Sequence, residues 1–541
     1  MTATSKPSTP DAVVIGAGHN GLVAANLLAD AGWDVVVCEA QPRAGGAVAT
    51  AEVTVPGYRS DLFSAFYPLA AASPVFRSLA LGEHGLTWSR APAVLTHVFP
   101  DGRTTTLWQD PARTAEEFGR AHSADADAWL RLTGQWDRIG DRVLDVLLCP
   151  FPPTVPMARL LARLGIDETV RLARMALQPV RRFGEENFAG PGAPMLFAGN
   201  ALHSDLPPDG AGSAVYGWLL TMLGHAHGFP VPVGGAGALI DALVARLRAA
   251  GGELRINSAV RRIEVGDDGA SGVVLESGER IAARRAVLAD VAAPRLFLHL
   301  IDRDLLPRRF VADLDNFQWD APTLKVDYAL DRPVPWANAG ARESGTVHLG
   351  VDMDGLTDYA ADLATRRIPR RPLVLFGQMT TADPSRSPTG TESVWAYTHL
   401  PRGVTATDAV VAEQVGRIEA LIEEHAPGFG AAVLGRHIQS PADLQARNAN
   451  LVDGAINGGT AQLHQQLIFR PVPGLGSAAT PIDRLFLAGS SAHPGGGVHG
   501  ACGSNAARAA LARAGRTGAV RRATQTALMR RIYRDRDRPQ L

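Results

Sequence analysis

The sequence predicts an α/β protein whose main domain is discontinuous, with an α+β substrate domain and a helical cap inserted into it. Three observations predict this class. Residues 11–40 have a strand–helix–strand pattern with a glycine-rich turn. A second glycine-rich stretch, "AGSSAHPGGGVHGACG", covers residues 488–503, near the C-terminus. Between them, helical patterns over 91–224 precede alternating strand and helix patterns over 301–474.

The N-terminal element has the order of a dinucleotide-binding unit. "AVVIG" has strand character, Gly16, Gly18 and Gly21 form G-x-G-x-x-G, and a helical pattern follows. In such a Rossmann unit, Gly16 permits the tight turn, Gly18 lets the backbone approach a diphosphate, and Gly21 lets the helix pack closely. The second strand closes on Glu39, which can accept hydrogen bonds from an adenosine ribose. We therefore expect a bound dinucleotide.

The residues after Glu39 indicate which dinucleotide. "AQPRAGGAVAT" contains Arg43, Gly45 and Gly46, and it resembles the R-x-G-G continuation of flavoproteins with the glutathione-reductase-like fold, which include amine oxidases and carotenoid desaturases. The resemblance implies FAD. It also implies that the backbone at Val260 holds the adenine.

The C-terminal stretch carries the more specific resemblance. "LFLAGSSAHPGGGVHGACGSNAARAA" resembles the flavin motif of the phytoene desaturase family, both its carotenoid ketolases and its branch named for a pyridine-nucleotide-disulfide-oxidoreductase domain. It implies that Gly489, Gly497 and Val498 contact FAD. We expect "RLFLAG" to be the last strand of the FAD sheet, beside the first, and a helix to start near Ser504.

The helical patterns over residues 91–224 predict a cap. The cap contains an arginine-rich amphipathic stretch, residues 157–183, which is a candidate for peripheral contact with an anionic membrane. An ordinary pair of surface helices is the favoured alternative.

The resemblance and the composition together predict the domain limits. We expect an FAD-binding domain from residues 9–90, 225–300 and 475–515, a helical cap over 91–224, a substrate domain with an antiparallel sheet over 301–474, and a basic tail over 516–541.

Lys325 is the first candidate for catalysis. Within "PTLKVDYAL", alternation places Thr323, Lys325 and Asp327 on one strand face. In related amine oxidases a strand lysine holds a water near flavin N5, and the resemblance implies this role for Lys325. The alternatives are a surface lysine and a partner for Asp327.

Four other residues are candidates for the site. His493 and His499 flank the "PGGGV" loop, so either can lie near the isoalloxazine and act in catalysis, although a loop histidine is more often structural. His203, in "GNALHSD", and Tyr67, in "SAFYP", are weaker pocket candidates.

Composition excludes several classes of function. The net charge of -1 gives no reason to expect nucleic-acid binding. Cys38, Cys149 and Cys502 are too far apart in sequence for a C-x-x-C pair, which disfavours a disulfide redox centre, and no spacing typical of a metal site is present. Without a secretory signal or an apolar run of about 18 residues, we expect a cytoplasmic protein.

The first hypothesis is an FAD-dependent, phytoene-desaturase-like oxidoreductase. It oxidises, desaturates or oxygenates a hydrophobic small molecule, isoprenoid or carotenoid-like, by hydride transfer to flavin N5. Oxygen or a quinone is the expected electron acceptor, because the glycine turn at residues 234–237 does not have G-x-G-x-x-G spacing and no nicotinamide-binding domain is predicted there. A flavin oxidase of amines or natural products is one alternative. A lipid-binding or escort protein on the same fold, without catalysis, is another. The sequence predicts no particular oligomeric state.

Overall fold

A computed structural model describes residues 9–534. Its first sheet is parallel, and four of its five strands are short apolar segments buried on both faces, whereas the edge strand Glu253–Arg255 is polar and partly exposed. In spatial order the strands are β19 (Leu485–Leu487), β13 (Ala286–Ala289), β1 (Ala12–Ile15), β2 (Val35–Cys38) and β9 (Glu253–Arg255). The expectation that the last strand lies beside the first is wrong. The chain returns to this sheet earlier, as β13, and β13 separates β1 from β19.

The second sheet has seven strands and forms the floor of the substrate region. In spatial order they are β18 (Val433–Gln439), β14 (Thr323–Leu330), β17 (Glu392–His399), β16 (Val374–Gln378), β15 (Ser344–Leu349), β6 (Ala93–Val98) and β7 (Thr104–Leu107). All neighbours are antiparallel except β15 and β6. The predicted helical cap is therefore wrong at its start, because β6 and β7 extend this sheet.

The remaining strands form small sheets. These are β10 (Val260–Gly266), β11 (Gly269–Leu275) and β12 (Arg280–Ala282); β3 (Thr50–Ala51) and β4 (Ser60–Asp61); and β5 (Trp88–Ser89) and β8 (Val231–Pro232).

Helices cover both sheets and build the cap. They are α1 (His19–Asp30), α2 (Pro68–Ala72), α3 (Pro74–Ser78), α4 (Pro111–Gly119), α5 (Ser123–Leu148), α6 (Thr154–Leu177), α7 (Val180–Asn187), α8 (Gly192–Leu202), α9 (Ser213–His227), α10 (Gly237–Ala249), α11 (Ala293–His299), α12 (Arg308–Asp315), α13 (Ala339–Glu343), α14 (Met353–Ala364), α15 (Met379–Ala382), α16 (Asp408–His425), α17 (Phe429–Ala432), α18 (Pro441–Arg447), α19 (Ala501–Ala514) and α20 (Gly518–Ile532). Short 3-10 helices cover Leu81–His84, Arg303–Leu305, Pro384–Arg386, Val452–Gly454, Leu463–Gln465 and Leu467–Phe469.

Most of the predicted basic tail is a helix, α20, which is largely exposed and contacts the rest of the protein through a few buried residues. In α20, Met529 is buried, and Tyr533 just after it is buried too and donates a hydrogen bond to the carbonyl of Pro473 at 2.8 Å. Both belong to the apolar core beside the parallel sheet. Residues 535–541 of the predicted tail lie outside the described residues.

A buried ion cluster connects three separate segments of the chain. Arg386 lies 3.0 Å from a carboxylate oxygen of Asp61 and 2.7 Å from one of Asp383, and the side chains of all three are at most 2% exposed. The carboxylates also accept backbone N–H groups: Asp383 from Gly234, and Asp61 from Ala236. The cluster therefore fixes three segments that are far apart in sequence.

Replacement of Arg386 by Met should lower the free energy of unfolding by about 3–5 kcal/mol, because it leaves two buried carboxylates without their cation. Urea denaturation measures the change. Arg120→Met is the matched control: its pair with Glu116 is 3.2 Å long and largely exposed, so the loss should stay below about 1 kcal/mol. Equal losses in the two variants would contradict this account.

Candidate cofactor and substrate cavity

A cavity of about 1680 Å³ lies between the two sheets and the cap helices. A single-ligand pocket usually measures about 300–1,000 Å³. Glycine-rich loops from both chain ends line one part of the cavity, and apolar side chains of α5, α6 and α9 line the other. The cavity therefore has room for a dinucleotide and a further molecule.

The N-terminal glycines build a tight turn at the start of α1. Gly16 has φ +92°, and a Cβ there would lie 2.9 Å from the carbonyl oxygen of Asp290. A Cβ at Gly21 would lie 2.1 Å from the carbonyl oxygen of Gly16. Gly16 and Gly18 line the cavity, while Gly21 packs behind them. This geometry leaves the backbone open to a diphosphate at a helix N-terminus.

Glu39 is held rigidly at the end of β2. One carboxylate oxygen accepts the N–H of Ala17 at 2.7 Å, and the other accepts the N–H of Gln41 at 2.9 Å. Each oxygen keeps a lone pair that a ribose hydroxyl can use. Arg43 and Val260 line the cavity as well, and their expected contacts with the dinucleotide stay predictions.

The two glycines of the second pair, Gly45 and Gly46, occupy different positions. Gly46 lines the cavity, and a Cβ there would lie 3.3 Å from the Cα of Gly18. Gly45 lies behind, where its N–H donates to the carbonyl of Ala17 at 2.9 Å and a Cβ would lie 2.5 Å from the carbonyl oxygen of Val48. The pair brings this loop against the N-terminal turn.

The C-terminal loop completes the same wall. Gly489, Gly497 and Val498 all line the cavity. Helix α19 begins at Ala501, three residues before the predicted start, because Gly500 turns the chain at φ +69°. The two ends of the chain thus meet at one site.

The histidines of this wall are neutral. Burial lowers the pKa of His493 to about 4 and that of His499 to about 3. His499 Nδ1 accepts the N–H of Ala501 at 3.0 Å, so it caps α19. No described residue hydrogen-bonds to Nε2 of His493. The catalytic roles expected for these two residues stay predictions. His19, which the sequence did not single out, lines the cavity beside them and has its pKa lowered to about 4 by burial.

Arg470 holds the C-terminal loop from behind. Its fully buried guanidinium donates to carbonyl oxygens of Asn457, Gly458, Thr460 and Ser490 at 2.8–3.2 Å. No described carboxylate forms an ion pair with it. No sequence pattern predicted a role for Arg470 at the site.

Lys325 lies on the cavity face of β14. Its Nζ donates to a carboxylate oxygen of Asp327, and both side chains are at most 4% exposed. Lys325 lines the cavity and Asp327 lies behind it. The alternative of a surface lysine is therefore wrong, the pairing with Asp327 is present, and the role near flavin N5 stays a prediction. His203 and Tyr67 line the cavity as well.

No role at the site was predicted for Asp290, although it directly follows the buried strand β13. It accepts the N–H of Gly21 at 2.9 Å, and a Cβ at Gly18 would lie 2.6 Å from its carboxylate. Burial raises its pKa to about 7; the Gly21 N–H opposes this rise, and the charge of Glu39 adds to it. An acid at the carboxyl end of a parallel strand was the available signal.

Comparison with known proteins agrees with this geometry. Residues 21–397 match the family model of flavin containing amine oxidoreductases. The pyridine nucleotide-disulfide oxidoreductase domain-containing protein 2 of Rattus norvegicus is 31% identical, with 92% of each chain covered. A neurosporene-forming phytoene desaturase of Rhodobacter capsulatus is 23% identical, over 91% of this chain and 92% of that protein.

Solved structures show the same fold. An oxidoreductase from Methanosarcina mazei has a TM-score of 0.61 at 17% identity, covering 92% of this chain and 99% of its own. Cyclohexylamine oxidase from Brevibacterium oxydans has a TM-score of 0.57 at 17% identity, covering 93% and 99%.

FAD affinity should fall as the pH rises through about 7, because Asp290 ionises beside the turn that receives the diphosphate. Below that pH the carboxyl is neutral and does not repel the phosphates. Between about pH 6 and 8 the dissociation constant should rise about tenfold. Titration of flavin fluorescence measures it. Asp290→Asn should remove the dependence, and Asp241→Asn, on the exposed face of α10, should keep it. A slope that survives in Asp290→Asn would contradict this role.

Proposed function

This chain belongs to the family of flavin-containing amine oxidoreductases, and we propose that it uses FAD to oxidise an apolar small molecule, isoprenoid or carotenoid-like. The proposal rests on the cavity beyond the glycine-rich loops. Its walls there come mainly from aliphatic and aromatic side chains of the cap. The lining includes Val143, Val146, Leu147, Leu160, Leu161, Leu164, Leu172, Leu219, Leu220 and Leu223. Such walls favour an apolar substrate, because binding it removes apolar surface from water.

FAD, when bound, supplies the hydride acceptor. The chain's own contribution is to hold the substrate in a largely apolar cavity and to place Lys325 on its floor. The charge of Lys325 is balanced by Asp327, so the lysine can order a water without being an isolated buried cation. Oxygen or a quinone is the proposed electron acceptor.

Anaerobic mixing of the FAD-loaded protein with candidate substrates tests the function. The flavin absorbance should bleach with an isoprenoid such as limonene or phytoene and stay unchanged with putrescine. Bleaching by putrescine alone would favour amine oxidation. No bleaching by any member of a broad isoprenoid panel would favour the lipid-binding alternative.

Replacement of Lys325 by Met should leave FAD bound but slow flavin reduction or reoxidation at least tenfold, a size typical of a positioned proton-handling group. Stopped-flow absorbance measures both half-reactions. The single variant leaves Asp327 buried and unpaired, so Lys325→Met/Asp327→Asn is the variant matched for stability. Unchanged rates in a folded double variant would show that Lys325 has only a structural role.

The apolar part of the cavity opens beside exposed apolar side chains. On α6, Leu161, Ile166, Val170 and Leu177 are 41–88% exposed, and the segment Leu467–Phe469 is about half exposed. Leu161, Leu177 and Leu467–Phe469 also line the cavity. We name these residues the mouth. The described residues contain no helix that is long and apolar enough to cross a membrane.

Arginines next to the mouth indicate the kind of surface that it contacts. Arg159 and Arg163 on α6 are exposed and form no ion pair with a described residue. Apolar side chains flanked by free cations are typical of a surface that rests on anionic lipid. We propose that the mouth docks on such a membrane and takes its substrate from it.

Sedimentation with vesicles tests the docking. Phosphatidylglycerol vesicles should bring down the protein at low salt, and neutral phosphatidylcholine vesicles should bring down much less. Arg159→Gln/Arg163→Gln should weaken binding about thirtyfold, at about 1 kcal/mol for each of the two charges. Arg530→Gln/Arg531→Gln, on α20, is the control with equal charge. Equal losses in both pairs would show a non-specific charge effect and refute the docking surface.

A further inference from the structure

A buried arginine lies directly behind the C-terminal wall of the cavity. Arg470 is 1% exposed, donates to the carbonyl of Ser490 at 2.8 Å, and would lie 3.3 Å, at its guanidinium carbon, from a Cβ at Gly495. The next residues of that loop, 496–498, line the cavity. Burial lowers the pKa of Arg470, but a guanidinium stays protonated in proteins. The backbone of one loop therefore separates a full positive charge from the cavity.

No acid cancels this charge by direct contact. Asp320 is the acid whose charge acts on Arg470. Its carboxylate accepts three backbone N–H groups of residues 456–459 at 2.6–3.2 Å, and the two side chains form no ion pair in the described structure. Tyr216 and Cys502 lie near Arg470 as well, but burial raises the pKa of both, so they carry no charge. The positive charge reaches the C-terminal loop, whereas Asp320 contacts a different segment.

The charged groups around Asp320 have partners of their own. Asp205 lies 3.3 Å from Nε2 of His399. Arg402 donates to the backbone carbonyl of Asp320 and lies 3.7 Å from a carboxylate oxygen of Asp453. Within residues 9–534, none of these groups hydrogen-bonds to the C-terminal loop. Their charges therefore act on the loop from further away than that of Arg470.

The cations that line the cavity are neutralised, paired or screened. Lys325 is paired with Asp327. Burial lowers the pKa of each lining histidine well below neutrality, and these are His19, His203, His493 and His499. Three lining arginines are exposed, so water and salt screen their charges, and these are Arg43, Arg295 and Arg447. Arg470 is therefore the buried cation at this wall, among the described residues, that no carboxylate contacts.

We propose that Arg470 acts through the loop backbone on bound FAD and favours its reduction. A hydride adds two electrons and one proton to the neutral isoalloxazine, which becomes an anion. A fixed positive charge behind the cofactor wall stabilises this anion more than the neutral ring. Arg470 does not line the cavity, so its effect is electrostatic and needs no contact with substrate. The proposal requires bound FAD but no particular substrate, and it thus goes beyond the proposed function.

The midpoint potential of bound FAD tests this role without a substrate. The FAD-loaded protein is reduced by dithionite at pH 8, without oxygen and in equilibrium with a reference dye, and the affinity for oxidised FAD is measured in parallel. Arg470→Met should lower the affinity for reduced relative to oxidised FAD about tenfold, as for unit charges about 10 Å apart at an effective dielectric constant of about 20. This ratio corresponds to a midpoint potential about 30 mV lower. Asp290 is present in every variant, so its charge does not enter the difference.

Two further variants separate charge from structure. Gln466→Met removes a hydrogen bond of 2.9 Å to the carbonyl of Thr460, which Arg470 also contacts, and changes no charge. It should leave the ratio unchanged, even where both forms of FAD bind more weakly. Asp320→Asn removes the acid that opposes Arg470, so the ratio should rise several-fold. Simple damage to residues 456–460 would move Arg470→Met and Asp320→Asn in the same direction.

An unchanged ratio in Arg470→Met, an equal fall in Gln466→Met or a fall in Asp320→Asn would overturn the proposal. Where Arg470→Met does not retain FAD, Asp320→Asn decides, and only a raised ratio supports the proposal. The proposed function can fail separately. If no isoprenoid reduces the flavin but the potentials shift as described, the oxidation is wrong and the role of Arg470 stands. If isoprenoids bleach the flavin and the potentials do not move, the oxidation stands and Arg470 only holds the loop.

Discussion

The structure depends on a backbone contact between helices α1 and α19. A Cβ at Gly503 would lie 1.9 Å from the carbonyl oxygen of Asn20, so no other residue fits there without a shift of one helix. This contact brings the last glycine-rich loop against the first. The walls of the cofactor end of the cavity come from both loops, and neither loop alone encloses it.

The seven-stranded sheet places Lys325 at the cavity, and packing on its opposite face fixes that position. Strand β14 packs Leu324, Val326 and Tyr328 into an apolar core on one face, which fixes the register of Lys325 on the other. Because both faces are buried, a slip of one residue would place Lys325 in the core and a leucine at the cavity. The position of the polar groups is therefore set by packing on the far side of the sheet.

The sequence predicted what depends on local pattern. The glycine turn with Glu39 and the two faces of β14 follow from spacing within about 30 residues, and the C-terminal loop follows from a family resemblance. All three contribute residues to the lining of the cavity. The strand at residues 93–98 was missed, because its partner, 344–349, is some 250 residues away and no local signal reports the pairing. Asp290 directly follows an apolar strand, but its partner Gly21 is 269 residues away in sequence, so the contact could not be predicted from the local pattern. Arg470 was missed because its partners are backbone carbonyl groups, which leave no signal in the sequence.

A crystal structure of the protein with FAD tests the central claim, that the two chain ends form one flavin site, most directly. We expect one FAD whose diphosphate lies on the turn at 16–21, whose ribose contacts Glu39, and whose isoalloxazine contacts the loop at 496–498. An FAD that contacts only one of the two glycine-rich loops, or a second nucleotide on the C-terminal loop, would contradict it.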